Sequence, residues 1–299
     1  MSLRPQTNRL SCTIVIVVAG ICFSAATALA RDEPVRNTPA LDSGTKESPP
    51  PLPLWEAGLF GFGITQTAYP GADERVSRAL ALPYVIYRGR YLRADRGTVG
   101  LRALKTPRIE MDIGFAATLG SHSSDIAARQ GMADLGTMIE FGPRLKIYLG
   151  DELSGRGDSR LQFPLREVID ISHGFVSRGI AFEPQWVTDT RLKRWFVSFN
   201  LGAMFGDGKL SNTYYGVAPA EATPTRPRYV ASSGLIALRA GLFAAHPLSR
   251  DVRMFYLLRI DSLAGAANRD SPLVRRNIGW TAGIGLSWAL SRSEQVAFD

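Results

Sequence analysis

Cysteine is nearly missing. The 299 residues hold two, Cys12 and Cys22, both within the first 30. That stretch has the form of a secretory leader: Arg4 and Arg9, then apolar residues from Ile14 to about Ala26, then the cleavage pattern Ala28-Leu29-Ala30. Residues 1–30 are expected to be a signal peptide, and a chain starting at Arg31 carries no cysteine. Disulfides, thiol catalysis and cysteine metal sites are then excluded. An exported protein of this size without disulfides needs another means of closure, and a closed sheet supplies one. Histidine is scarce too: His122, His173 and His246 are the whole set, and no two have metal-ligand spacing, so no metal and no cofactor site is assigned. Beyond the leader no run of 18 apolar residues occurs, which argues against helical membrane spans. Acidic residues are outnumbered, 27 against 35 Lys and Arg. The cations are scattered singly without interleaved aromatics, which speaks against a nucleic-acid partner. Solvated surface or basic loops against anionic lipid headgroups account for them.

What the chain does have is alternation. In 279–290 the even positions are Trp280, Ala282, Ile284, Leu286, Trp288 and Leu290, and the odd ones are Gly, Thr, Gly, Gly, Ser and Ala. Period two over that length reads as a strand with one apolar face and an aromatic near each end. A lipid-facing strand needs about 9–11 residues of this kind. The pattern recurs. In 108–119, Ile109, Met111, Ile113 and Phe115 oppose Arg108, Glu110, Asp112 and Gly114. In 139–149, 194–205 and 252–261 apolar residues likewise oppose charged or small ones. Twelve strands are expected: 55–67, 79–88, 90–95, 97–104, 107–119, 135–149, 160–171, 175–187, 193–205, 233–244, 252–262 and 279–290.

The connections divide by parity. Long ones, about 68–78, 120–134, 206–232 and 263–278, all follow odd strands; those after even strands are short. This is the asymmetry of an all-β, transmembrane, antiparallel up-and-down β-barrel of about 12 strands, with long external loops and short periplasmic turns. A hairpin at Asp95-Arg96-Gly97 keeps the parity, whereas one bent strand over 90–104 would reverse it. The apolar faces are expected to meet membrane lipid. The mixed charges (Glu110, Asp112, Arg144, Lys146, Arg259, Asp261) suit a hydrated, ion-paired lumen, since unpaired charges in a dry core cost several kcal/mol. The organisation expected is 1–30 leader, 31–54 Pro-rich periplasmic lead-in, 55–290 barrel and 291–299 tail.

Particular segments carry a resemblance: Tyr69-Pro70-Gly71-Ala72-Asp73, Leu82-Pro83-Tyr84, Tyr214-Tyr215-Gly216-Val217-Ala218-Pro219, Asp270-Ser271-Pro272-Leu273-Val274 and Gly283-Ile284-Gly285-Leu286-Ser287-Trp288. In these the chain resembles the MipA/OmpV family over about 55–290. The resemblance implies an outer-membrane barrel and, for the founding member, a scaffold joining a lytic transglycosylase to a penicillin-binding protein in peptidoglycan synthesis. It brings no catalytic residues. Family chains stop on an aromatic that the insertion machinery reads. Here Leu290 takes that place and Phe298 is next to last, so either could serve.

No catalytic residues are assigned. His122-Ser123-Ser124-Asp125 are consecutive in a loop, so their side chains need not converge. Glu110 and Asp112 read as members of a lumen ion-pair ladder rather than an acid/base pair. The connection around Tyr214-Tyr215-Gly216 is long for a compact barrel. It reads as an in-folded plug or binding loop, or equally as a clamp on neighbouring strands. The expected function is a non-enzymatic outer-membrane scaffold for cell-wall enzymes; a narrow pore for small solutes is the alternative.

Overall fold

The computed structural model describes residues 53–88, 93–95, 98–100, 104–106, 108–150 and 158–295. The expected leader, most of the lead-in and Phe298 lie outside them. One antiparallel sheet contains fourteen strands among the described residues: β1 Trp55–Thr67, β2 Arg75–Arg88, β3 Arg93–Asp95, β4 Thr98–Gly100, β5 Leu104–Lys105, β6 Ile109–Thr118, β7 Met138–Tyr148, β8 Asp158–Asp170, β9 Val176–Phe182, β10 Gln185–Leu192, β11 Trp195–Gly206, β12 Gly234–Pro247, β13 Val252–Ser262 and β14 Ile278–Arg292. Their order is β4-β3-β2-β1-β14-β13-β12-β11-β10-β8-β7-β6-β5, with β9 beside β8 and β11. Both ends of that path, β4 and β5, are close neighbours in the chain, and β4 also packs against β6. The sheet therefore curls back on itself. Counting β9 with β10 and β4 with β5 as single staves leaves twelve among the described residues, the number expected.

Alternation decides which side faces where. Along β14, Trp280, Ile284, Leu286, Trp288 and Leu290 are exposed, while Gly279, Thr281, Gly285 and Ala289 are buried. Along β6, Ile109, Met111 and Ile113 point out and Asp112 points in. The exterior is apolar and the interior polar, the reverse of a water-soluble barrel. From Trp280 to Trp288 is eight residues, about 26 Å along the strand at ~3.3 Å each and about 20 Å once tilted. Trp55, Trp195, Tyr256 and Trp288 ring the short-turn end; Trp280, Phe182 and Phe205 ring the other. Such a belt bounded by aromatics is the outer surface of a membrane-spanning barrel.

The structure moves several expected boundaries, and β2 begins at Arg75 rather than at 79. Strand 175–187 runs on to Leu192 and is interrupted at Glu183-Pro184, because proline has no N–H to donate. The ladder is carried past that break by Glu183 N donating to Pro164 O and Ala203 N to Pro184 O. The connection expected between strands 175–187 and 193–205 shrinks to Lys193 and Arg194, with Lys193 at φ 56°. β12 runs past the expected 244 to Pro247 and so includes His246, whose ring packs tilted against Trp195 with 4.7 Å between centroids. The final strand passes Leu290 to Arg292, and Gln295 O accepts from Leu54 N at 2.7 Å. The junction at 54 and the first residues of the tail are thus bound to each other beside the β1–β14 seam.

Candidate functional site: a capped, ion-paired lumen

All four long connections lie at one mouth, and they pack together. Residues 207–233 contain helix α1, Gly208–Tyr215, whose N-cap Asp207 accepts from Leu210 N at 2.8 Å. Leu210, Tyr214 and Tyr215 of α1 are buried with Tyr69, Ile126, Leu135, Leu263 and Leu273 from the other three connections. This hydrophobic core fills the mouth, where Met138, Val168, Ala181, Met204 and Ile236 of the barrel wall join it. Short polar ties hold it: Tyr69 Oη donates to Leu273 O at 2.7 Å, Ser271 Oγ to Tyr215 O at 2.8 Å, and Ala127 N to Glu74 Oε1 at 2.7 Å.

Two arginines serve the cap as donors to main-chain carbonyls. Arg129 is buried, reaches Tyr214 O and Ala133 O, and lies 5.7 Å from the centre of the Tyr69 ring. Arg226 reaches Ala128 O, Gln130 O and Glu221 O. Burial pushes the phenols of Tyr69, Tyr214 and Tyr215 upward and the Arg129 guanidinium downward. The Asp134 carboxyl is held below the usual range by the Ser123 N–H and then by His122.

Below the cap the inward charges alternate in sign around the wall. Arg166 bridges Glu140 (2.9 Å) and Glu183 (2.5 Å); Arg239 bridges Glu183 (2.7 Å) and Asp261 (3.1 Å); Arg259 completes the chain on Asp261 at 3.2 Å. Six residues on β7, β8, the β9–β10 break, β12 and β13 thus form one line. It skips β11, where Gly202 sits between Gln185 and Arg239. A Cβ at Gly202 would come within 2.5 Å of Pro184 O, so no side chain fits where the chain of charges passes. A second cluster joins Asp112 to Arg144 (2.8 Å) and Lys146 (2.6 Å), with Lys146 also on Glu110 at 3.0 Å. Toward the short-turn end the opposite wall is aromatic, with Phe60, Phe196, Phe243 and Phe255 packed inward. Phe62 lies against β14, where a Cβ on Gly283 would stand 2.8 Å from its ring. The small residues on the inner face of β14 make that room.

The residues weighed in the sequence fall as follows. His122 Nδ1 bonds Asp134 Oδ2 at 2.8 Å and the Ser123 N–H shares that carboxylate, but Ser123 Oγ donates to Ala133 O, so the imidazole and the hydroxyl serve different partners. His173 pairs with Asp170 at 2.8 Å. Glu110 and Asp112 stand in the expected ion-pair ladder. Tyr214 and Tyr215 belong to the plug, one of the two readings left open. No group of three His, Cys, Asp or Glu side chains that could hold a metal occurs among the described residues. Missed from the sequence were Arg129 and Arg226, whose only signal is an arginine in a long loop that also holds isolated large apolar residues; Tyr69 was singled out only as part of a family segment.

A family model described as MltA-interacting protein MipA matches residues 59–290. No curated protein matches the chain. Among solved structures, a Pseudomonas aeruginosa FadL homologue is 10% identical with a TM-score of 0.34, over 79% of this chain and 68% of that one. The outer membrane phospholipase A from Escherichia coli is 9% identical with a TM-score of 0.32, over 77% and 92%. A bacterial polysaccharide outer membrane secretin is 9% identical with a TM-score of 0.33, over 79% and 99%. Likeness at these scores carries no argument about what the barrel does.

Proposed function

The chain belongs to the MltA-interacting protein MipA family and is an outer-membrane β-barrel protein; from that membership we propose that it works as a non-enzymatic scaffold in the cell envelope. Its short turns and the Pro-rich lead-in, residues 31–54, face the periplasm and present docking surface to a lytic transglycosylase of the kind the family description names, and to a penicillin-binding protein. The leader over residues 1–30 delivers the chain for export. The family match across 59–290 carries this reading. The cap supports it over solute passage, because four connections, sharing a hydrophobic core with the barrel wall, lie across the long-loop mouth. A barrel kept for attachment tolerates a closed lumen; a conducting one does not. The Ser123 hydroxyl, which donates to Ala133 O rather than to the His122 imidazole, and the pairing of Glu110 and Asp112 with Lys146 support the non-enzymatic part.

The test is capture with the detergent-solubilised full chain as immobilised bait and purified lytic transglycosylase and penicillin-binding protein as prey. Saturable retention of the transglycosylase, abolished when 31–54 or the short turns are replaced, is the expected result. Absence of retention for both prey at micromolar concentration would remove the reading. The narrow-pore alternative rests on the charged lumen and is read out separately. Steady single-channel conductance in a planar bilayer would favour it, and silence across salts and voltages would dismiss it.

A further inference from the structure

On the outer face of the barrel, at the long-loop end, the apolar belt gives way to a cationic corner. Arg75, the first residue of β2, lies across β1 with its guanidinium 3.3 Å from the centre of the Trp280 ring on β14. Its Nη1 donates to Trp280 O at 3.2 Å and its Nη2 to Thr65 Oγ1 at 3.3 Å. Ser77 Oγ donates to the same Thr65 hydroxyl at 3.1 Å. The side chain is thus held in place, while the rest of its five N–H donors find no partner among the described residues. Arg275 N and Arg276 N both donate to Gly71 O, at 2.7 and 3.0 Å. Those bonds fasten the connection that ends at β14 to the one that leads into Arg75. All three arginines are exposed, and none forms an ion pair among the described residues. Asp73 feels Arg275 and Arg276 but pairs with none of the three, and Glu74 is engaged by Ala127 N.

We propose that this corner binds the phosphorylated headgroup of an outer-leaflet lipid. Depth selects a lipid. Trp280 belongs to the aromatic ring that ends the apolar belt, and such rings lie at headgroup level. The long connections are external, so the headgroups at that level are those of the outer leaflet. Charge selects an anion, because three guanidiniums stand together without a paired carboxylate. In a lipid headgroup the anion is a phosphate, whose oxygens take paired N–H bonds from a guanidinium. Stacking on Trp280 fixes the plane of Arg75 beforehand, so little freedom is lost on binding. The wall beneath leaves space for an acyl chain. Gly61 and Gly63 lie opposite Leu286 and Ile284 on the outer face. A Cβ at Gly61 would meet nothing within 4 Å, and one at Gly63 only Ile284 O at 4.0 Å. The proposal rests on the barrel's orientation in the outer membrane and is independent of the scaffold reading.

The test is native mass spectrometry of the full chain released from micelles that contain diphosphorylated lipid A, its dephosphorylated form or phosphatidylglycerol. Lipid A should bind saturably, about tenfold tighter than either of the others, and more weakly as salt rises. Arg75→Gln, and Arg275→Gln combined with Arg276→Gln, should each weaken it about tenfold while keeping the heat-modifiable gel migration of a folded barrel. Should Arg75→Gln fail to fold, the paired loop variant, which alters only exposed side chains, carries the test. Lys193→Gln combined with Arg194→Gln removes as many charges at the opposite end and should change nothing. Equal binding of the dephosphorylated lipid or of phosphatidylglycerol would overturn the proposal. So would unchanged affinity in the folded arginine variants, an equal loss in the Lys193 and Arg194 variant, or displacement of lipid A by inorganic phosphate. Capture of the transglycosylase by the same variants should be unaffected, so the two readings fail independently.

Discussion

Arg239 is the residue on which the lumen's charge balance turns, because it holds both Glu183 and Asp261. Arg239→Met should destabilise the barrel by about 1–3 kcal/mol, since Glu183 and Asp261 each lose one of two arginine partners and keep only Arg166 and Arg259. Urea unfolding in micelles measures this. Adding Glu183→Gln and Asp261→Asn should recover part of the loss; strict additivity would contradict the chain of charges. Gly202→Val should cost about 1–3 kcal/mol by overpacking against Pro184 O and Gln185. At Asp134 the folded carboxyl titrates below its unfolded range, so its contribution to the 119–137 connection is present above the unfolded value, near 3.9, and is lost as pH falls through the folded one. Amide exchange in this connection should accelerate only below about pH 4, and Asp134→Asn should exchange faster at neutral pH with that acid step removed. Sequence alternation places such residues on the inner face but cannot name their partners. Arg239 and Glu183 are 56 positions apart, and only the stagger of the staves brings them together.

At the level of elements, the strands were legible and the cap was not. A strand's two faces meet opposite solvents, lipid and lumen, so the difference is written at every second residue, and the parity of the connections follows from it. Helix α1 has no comparable signature. It is eight residues long and contains Gly, Ser, Asn and Thr, all modest or poor helix formers, and its stability comes from burial in the cap. Only Asp207 marks its start. Removing that cap in Asp207→Ala should cost about 1 kcal/mol, and Arg226→Ala should free the ties to Ala128, Gln130 and Glu221. Both should hasten chymotryptic cleavage at Tyr214 or Tyr215 while the strand content seen by circular dichroism stays unchanged. Cleavage as slow as in the parent would mean that the cap does not depend on these contacts. The break at Glu183-Pro184 was hidden for a different reason: the proline falls where the stave bends, and alternation resumes beyond it.

For the whole molecule, the decisive property is the inversion of the usual arrangement, with grease outside and salt within. The protein should stay folded and dispersed only with detergent or lipid; a monodisperse folded species in plain buffer would refute the barrel's orientation. Leu258, near the middle of β13 and opposite Leu242, is exposed on the apolar belt. Leu258→Arg should cost about 2–4 kcal/mol in a bilayer, whereas a new arginine on the inner face should cost less if a carboxylate lies in reach. The seam between β1 and β14 has a consequence of its own. It fastens residues near 56 to residues near 292, the longest sequence separation in the sheet. Contacts so remote are slow to form, because a long loop must close first. The cylinder can therefore be zipped shut only after every other stave has been laid down. With Leu54 and Gln295 already hand in hand there, a chain re-cut at Lys193-Arg194 and spliced across the old ends should build the same vessel in a different order of assembly.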